Sequence, residues 1–539
     1  MSLLETMSTD SQVFYGFTVE TKSLTLPTGE VKKMITMNFL DEDIKKMLGD
    51  ITEMDEFYSK NCCMTPEEIY PYFKDIKTRA ENGKFEMLDL AAFLCELYKD
   101  DLEKFNNMSN DGKVTFATLG NLFNKGERFI SEVNGKMIGG IIDETSISQG
   151  PFGEKYFVIT GLLNIMCGNK FAQFHKRFSI PEFRGTQHIE SLNVRPLSDE
   201  EYELLTERNK RLLKYLKPFC YAGYKGNMFV KTQFGLNKFN ATGRVIVDFN
   251  GFKQFNPNYG VPQFSSSEFE HLSDDMVYML YPFMYGYSLN NKRWGEIDTD
   301  CLCDINFDSK AFDYLVLDES TKKLMKALVL NVNTSFSDVI TGKSGGCIFL
   351  LHGPPGVGKT LSCEAISELL QRPLYSITVG ELGTDPDDLE KRLGRVLEIA
   401  NSWDAIILLD EADIFMEKRS SNDVHRNAMV SIFLRLLERH QGVMFLTTNR
   451  MENIDEAFRS RISTVIEYKN LDQEKRIKVW NNLLKAANIT LTEDDVKELS
   501  KENINGRQIK NVIRTAQCLS KDEQCELTME IFNKVINLV

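Results

Sequence analysis

No CxxC pair occurs anywhere in the 539 residues, and the eleven cysteines and six histidines are dispersed. Only Cys62-Cys63 and Cys301-x-Cys303 lie close together. A structural zinc site needs ligands clustered in sequence, so this pattern argues against one. An odd set of scattered cysteines also argues against a disulfide framework and for a reducing compartment. No stretch of about 18 apolar residues is present to span a bilayer. The opening segment, MSLLETMSTDSQVFYGFTVETKS, is acidic and has no apolar core of the kind a signal or transit peptide carries. A basic excess is missing too: the formal net charge is -14, which disfavours bulk polyanion binding. The expectation is a soluble intracellular protein, with cytoplasm and nucleus not distinguished.

What is there is an ordinary globular composition, 42% hydrophobic and 26% charged, long enough for three or four domains. Residues 1–125 read as a helix-rich region. Apolar residues recur at helical spacing in MTPEEIYPYFKDIKTRAEN and EMLDLAAFLCELYKDDLEKF. SLTLPTGEVKKMITMNF reads as a short hairpin turning at Pro27-Thr28-Gly29. DLEKFNNMSNDGKV is turn-rich and reads as a loop, without the oxygen ligand order of a calcium-binding loop. Residues 126–310 read as a β-rich mixed domain. KMIGGIIDETSI, EKYFVITGLLNIMC and GRVIVDFNGFKQFNP are strand-like, and one helix is expected after Ser198, which stands in capping-box spacing with Glu201. The aromatic run YPFMYGYSLNNKRW could stack bases, but buried core or a domain seam is the plainer reading.

From residue 311 the pattern becomes strand, loop, helix, repeated, as in a parallel α/β sheet. Within it, FLLHGPPGVGKTLSCEA matches GxxxxGK[ST] between a buried-strand pattern and a helical one. The loop would comprise Gly353, Pro354, Pro355, Gly356, Val357, Gly358, Lys359, Thr360 and Leu361. Glycines let the backbone turn its N–H groups toward phosphates, and the helix N-terminus adds a favourable dipole. Lys359 is placed to reach the β and γ phosphates of ATP, and Thr360 to ligate Mg²⁺.

AIILLDEADIF carries Asp410 and Glu411 at the end of an apolar strand, with Asp410 51 residues after Lys359. Asp410 suits a Mg²⁺ ligand and Glu411 a base for the attacking water, although an Asp-Glu pair can also cap a helix. GVMFLTTN ends in Asn449, a candidate contact for the γ phosphate and equally a turn former. In IDEAFRSRIS, Arg459 and Arg461 precede a short last strand, where a neighbour's nucleotide would lie in a ring. Arg507 opens a helix after the Asn505-Gly506 turn and could reach back toward the phosphates, or simply be solvated.

Together these motifs resemble the AAA ATPases from about residue 311 to 539. GPPGVGKT is similar to their Walker A and ILLDEAD to their Walker B. Asn449 corresponds to sensor 1, Arg507 to sensor 2, and Arg461 to the arginine finger, with Arg459 as a second. GELGTDPDDLEKRL, SWDAIILLDEADIFMEKR and FLTTNRMENIDEAFRSRI resemble one subgroup, known largely from fungi, in which an uncharacterised N-terminal domain precedes the module. The resemblance implies a P-loop α/β domain at 311–469 and a helical lid at 470–539. It also implies ATP and Mg²⁺ as cofactors, a homo-oligomeric ring, usually a hexamer, and Asp338 and Ile340 near the adenine. One departure stands out. Translocating relatives carry an aromatic residue in the loop after the second strand; here that loop is Val379-Gly380-Glu381-Leu382, and Tyr375 lies too early.

Three classes of function follow. The first is an ATP-hydrolysing ring that remodels a protein substrate chosen by residues 1–310. The second is a nucleic-acid-handling ATPase, for which Lys210, Arg211 and Lys214 on one helix speak and the acidic net charge does not. The third is a nucleotide-gated scaffold, which the missing loop aromatic favours.

Overall fold

The computed structural model describes residues 7–25, 31–52, 54–59, 62–81, 84–151, 153–233, 235–266, 268–332, 346–419, 423–451, 454–524 and 526–538. Near the N-terminus, Met7–Phe14, Phe17–Thr25, Val31–Phe39 and Cys62–Met64 form an antiparallel sheet in chain order. The expected hairpin is there, with Thr25 opposite Val31, and its turn lies outside the described residues. Buried Phe17, Val19, Met37 and Phe39 face Ile44 and Leu48 of the Glu42–Thr52 helix, giving this region its own core. The region is therefore a four-stranded sheet with helices packed against it. The segment expected to be a loop, DLEKFNNMSN, continues as the helix Lys99–Asn110. Only Asp111-Gly112 turns, with Gly112 at φ 67°.

The β-rich domain begins earlier than residue 125. Lys113–Thr115 pairs with Thr186–His188, and Val114, Leu119 and Phe123 join the core of the following sheets. That domain contains a five-stranded antiparallel sheet (Val194–Pro196, Arg128–Val133, Lys136–Gln149, Lys155–Cys167, Lys170–Pro181 in spatial order). A seven-stranded sheet accompanies it, with Phe283–Ser288 between Arg293–Asp298 and Gly243–Val247. The helix Asp199–Leu212 starts at the predicted capping box: Glu201 N–H donates to Ser198 Oγ, and the Glu201 carboxylate accepts from Ser198 N–H.

The C-terminal module is a five-stranded parallel sheet. Its spatial order is Leu374–Thr378, Ile406–Asp410, Val443–Thr448, Cys347–His352, Thr464–Glu467. The strands are apolar on both faces because helices cover both, which is why IILL and MFLTT carry no alternation. The helices Gln473–Ala486, Glu493–Leu499, Gly506–Asp522 and Met529–Ile536 then pack around Trp480 and Phe532 as a separate cluster. The architecture is an α/β P-loop-type module with a helical lid, preceded by a mixed α+β region.

The two halves meet through aromatic side chains. Ile246 and Tyr287 of the seven-stranded sheet belong to the same buried cluster as Tyr375 and Trp403 of the parallel module. The Tyr287 and Tyr375 hydroxyls are 2.8 Å apart, and Trp403 Nε1 donates to Asp248 Oδ2 at 2.8 Å. The YPFMYGYSLNNKRW run is thus core and seam: Phe283 and Tyr285 face the β-domain interior, while Tyr287 and Trp294 face Trp403. No helix among the described residues is long and apolar enough to cross a membrane.

Candidate functional site

The site forms where three parallel strands end. Cys347–His352 runs into the glycine loop, and the helix Lys359–Leu370 follows it. The loop needs its glycines. Gly353 (φ 145°), Gly356 (φ 76°) and Gly358 (φ 103°) all occupy backbone conformations that side chains strain. A Cβ at Gly353 would lie 2.1 Å from the Tyr468 carbonyl oxygen, and one at Gly356 would lie 2.6 Å from Asn505 Oδ1. The loop is therefore wedged between the last strand's exit and the lid, and the Gly506 N–H donates to the Gly356 carbonyl at 3.0 Å.

Lys359 is buried and bends back over the loop. Its ammonium donates to the carbonyls of Gly353 (2.6 Å) and Pro354 (2.9 Å) and to Asn449 Oδ1 (2.7 Å). Burial lowers its pKa; the Asp410 and Asp413 carboxylates oppose that shift, and the Arg507 charge adds to it. Lys359, Asp410 and Arg507 therefore share one electrostatic neighbourhood.

The carboxylates are fixed from the neighbouring strand. Thr447 Oγ1 donates to Asp410, and Glu411 N–H donates to Thr447 Oγ1 at 3.0 Å. Glu411 itself stands at φ 57°, a conformation that costs a non-glycine residue energy and recurs at working sites. Thr448 Oγ1 donates to Asp413. Among the described residues no cluster of three or more His, Cys, Asp or Glu could hold a metal by itself. The pair Thr360 and Asp410 offers hard oxygen donors only, which suits a Mg²⁺ that takes its remaining ligands from phosphate and water.

The arginines divide. Arg507 begins the lid helix Gly506–Asp522, capped by Asn505 with Gln508 completing a capping box. Arg461 is held within its own module, donating to the Ala457 carbonyl at 2.8 Å and paired with Glu438. Arg459 is exposed and has no hydrogen-bond or ion-pair partner among the described residues. Neither of these two arginines bonds to the glycine loop of the same chain among the described residues. Asp338 and Ile340 lie outside the described residues.

Sequence reasoning did not name Thr447, Asp413, Glu438, Tyr468 or Asn505 as parts of this site. The paired hydroxyls of Thr447-Thr448, on an otherwise apolar central strand, were the available signal for the first. Asn505 three residues before Gln508 is a readable cap. The Tyr468 carbonyl left no trace in sequence, because any residue type supplies one.

Comparison with known proteins places resemblances in both halves of the chain. Residues 349–470 match the family model "ATPase family associated with various cellular activities (AAA)". Residues 104–201 match a domain of unknown function, DUF7025. The chain is similar to the ATPase family AAA domain-containing protein FIGL1 of Arabidopsis thaliana, 29% identical over 33% of this chain and 28% of that protein. It is also similar to a putative 26S proteasome regulatory subunit homolog of Methanothermobacter thermautotrophicus, 30% identical over 31% of this chain and 48% of that one. The chain thus spans half or less of the length of these two relatives. Among solved structures, the FIGL-1 AAA domain in complex with ADP aligns at a TM-score of 0.35 and 19% identity, covering 44% of this chain and 86% of that one. Residues 349–470 of this chain are thus similar to the AAA ATPase family domain, behind a segment similar to DUF7025.

Proposed function

We propose that the chain is a Mg²⁺-dependent ATPase that works as a homo-oligomeric ring, most simply a hexamer, and remodels a protein or protein complex. The observation that carries this reading is Lys359, bound at once to the glycine loop and to Asn449. That ammonium is already drawn to the place where the β and γ phosphates of ATP would replace the Gly353 and Pro354 carbonyls as its partners. The loop N–H groups and the start of the Lys359–Leu370 helix would hold the phosphates. Mg²⁺, held by Thr360 and Asp410, would neutralise charge developing on the transferred phosphoryl group. Glu411 would orient and deprotonate the attacking water, Asn449 would fix its position, and Arg507 would close the lid on the γ phosphate.

Arg461, with Arg459 beside it, would serve the neighbouring subunit's nucleotide. Its cis partner, Glu438, keeps the side chain fixed within its own module. In this scheme residues 311–469 bind nucleotide, 470–539 act as lid, and 1–125 and 126–310 recognise the client. The matched N-terminal segment of unknown function also supports membership of the largely fungal subgroup. The test is Glu411→Gln, which should bind ATP with near-normal affinity and turn over very slowly; normal turnover would remove Glu411 from the mechanism.

One observation favours a second reading, the nucleotide-gated scaffold. The aromatic residue nearest the presumed pore loop, Tyr375, is buried and bonded to Tyr287 across the domain seam. It is committed to holding the domains together and is not free to grip a threaded chain. Many ATP turnovers per ring on excess client would favour remodelling, and a single assembly event would favour the scaffold. A nucleic-acid-handling role has no such observation behind it: Lys214 is paired with Asp304 on the same domain.

A further inference from the structure

The central strand Val443–Thr448 of the parallel sheet ends in two threonines, each 1% exposed. Alternation puts Thr447 on the face of Val443 and Phe445, which belong to the apolar cluster on one side of the sheet. Valine has the same shape and would continue that row. It would also spare the cost of taking a hydroxyl out of water. The Thr447 hydroxyl is instead doubly engaged. Its Oγ1 accepts from the Glu411 N–H at 3.0 Å and donates to Asp410 Oδ1. A backbone N–H only donates and a carboxylate only accepts, so the direction of the relay is fixed, from Glu411 through Thr447 to Asp410. The Thr447 carbonyl then accepts from the Ala412 N–H at 2.9 Å. Asp410, Glu411 and Ala412 are thus all held by one residue of the next strand.

Those three residues form the turn that leaves the Ile406–Asp410 strand. The parallel ladder between the two strands is regular as far as Leu409 opposite Leu446, and the hydroxyl relay takes over just beyond it. There Glu411 stands at φ 57°, a backbone conformation that must be held by its surroundings. The neighbouring hydroxyl does not duplicate this work. Thr448 Oγ1 donates to Asp413 and accepts from the Arg450 N–H at 2.9 Å.

We propose that Thr447 is a positioning residue for phosphoryl transfer. Its hydroxyl engages Asp410 Oδ1, which fixes the carboxylate and leaves Oδ2 for Mg²⁺ or one of its waters. The same hydroxyl holds the left-handed turn from which the Glu411 side chain projects. This role rests on the ATPase reading proposed above: Thr447 touches neither nucleotide nor water and acts through the two carboxylates that would.

The test compares the full-length parent with Thr447→Val, which keeps the shape, and Thr447→Ser, which keeps the hydroxyl. Binding of a fluorescent ADP is titrated with Mg²⁺ and in EDTA, and ATP hydrolysis is followed against Mg²⁺ concentration. Thr447→Val should bind ADP like the parent in EDTA, need about tenfold or more Mg²⁺ to reach its metal-bound affinity, and turn over about tenfold or more slowly. Thr447→Ser should restore both. Urea unfolding without nucleotide or metal checks that each variant is folded, and Thr447→Ala replaces Thr447→Val if the valine does not fold. A valine variant with the parent's Mg²⁺ midpoint and turnover overturns the role and leaves the ATPase reading standing. So does a serine variant as impaired as the valine, or an equal loss of ADP binding in EDTA, which marks general damage. A parent that hydrolyses no ATP overturns the ATPase reading, and the Mg²⁺ midpoint of ADP binding then decides for or against Thr447. A parent that binds no ADP overturns both.

Discussion

Lys359 donates its ammonium to Asn449 Oδ1 at 2.7 Å, joining the glycine loop to the end of the central strand of the parallel sheet. The contact separates two roles that sequence position alone leaves merged. Asn449→Ala should leave Lys359 its loop carbonyls, so ATP affinity should change little while turnover falls roughly tenfold or more. Lys359→Met should instead lose affinity by at least about tenfold. Equilibrium binding of a fluorescent ATP analogue, read beside steady-state hydrolysis, distinguishes the two. Equal loss of binding in both variants would contradict the assignment.

Glycine substitutions should have opposite signs at two positions. Gly353→Ala forces a Cβ to 2.1 Å from the Tyr468 carbonyl oxygen at φ 145°, against backbone that cannot swing aside. A loss of about 2 kcal/mol or more is expected in urea unfolding. Gly380, in the short helix Val379–Leu382, has nothing within 4 Å of the place a Cβ would occupy, so Gly380→Ala should be neutral or gain up to about 1 kcal/mol.

The parallel module was legible because its signals are local. GPPGVGKT, IILLDEAD and FLTTN each combine a strand, a turn and a polar residue within a few positions, and the structure brings Lys359, Asp410 and Asn449 to the same sheet end. The capping box at Ser198 is equally local, whereas Asn505, read as a turn former, proves to cap the lid helix with Gln508. The β-domain's start at Lys113 was not legible, because it depends on pairing with His188, 75 residues away. Nor was the Lys99–Asn110 helix, whose asparagines and serine read as turn formers until packing overrides propensity.

The domain seam makes a prediction about stability. The Tyr287 and Tyr375 hydroxyls are each other's partners in a buried site. Tyr287→Phe leaves the Tyr375 hydroxyl unpaired and should cost about 1 to 3 kcal/mol. The double variant Tyr287→Phe/Tyr375→Phe should recover part of that loss, because neither hydroxyl is then stranded. A double-mutant cycle in urea checks it, and strictly additive losses would rule out the coupling.

His440 sets a pH dependence. It is buried, its Nε2 has no partner among the described residues, and burial lowers its pKa from 6.5 to about 4. The folded state thus disfavours the charged imidazole. Its contribution is complete above pH 6.5 and is lost as pH falls from there toward 4. The loss amounts to about 2 to 4 kcal/mol. His440→Gln should flatten unfolding free energy across that window. A variant that kept the full acid slope there would assign the slope to other groups.

The central claim is that one subunit grips the triphosphate and the next one triggers its cleavage. Mixing Glu411→Gln with Arg461→Ala tests it most directly, with each variant inactive alone. In a mixed assembly some seams pair an intact Glu411 from one subunit with an intact Arg461 from its neighbour. The account predicts that Mg²⁺-dependent ATP hydrolysis returns on mixing and rises with protein concentration. Two inactive variants that stay inactive when co-assembled, or an Arg461→Ala protein that hydrolyses ATP like the parent, would contradict it.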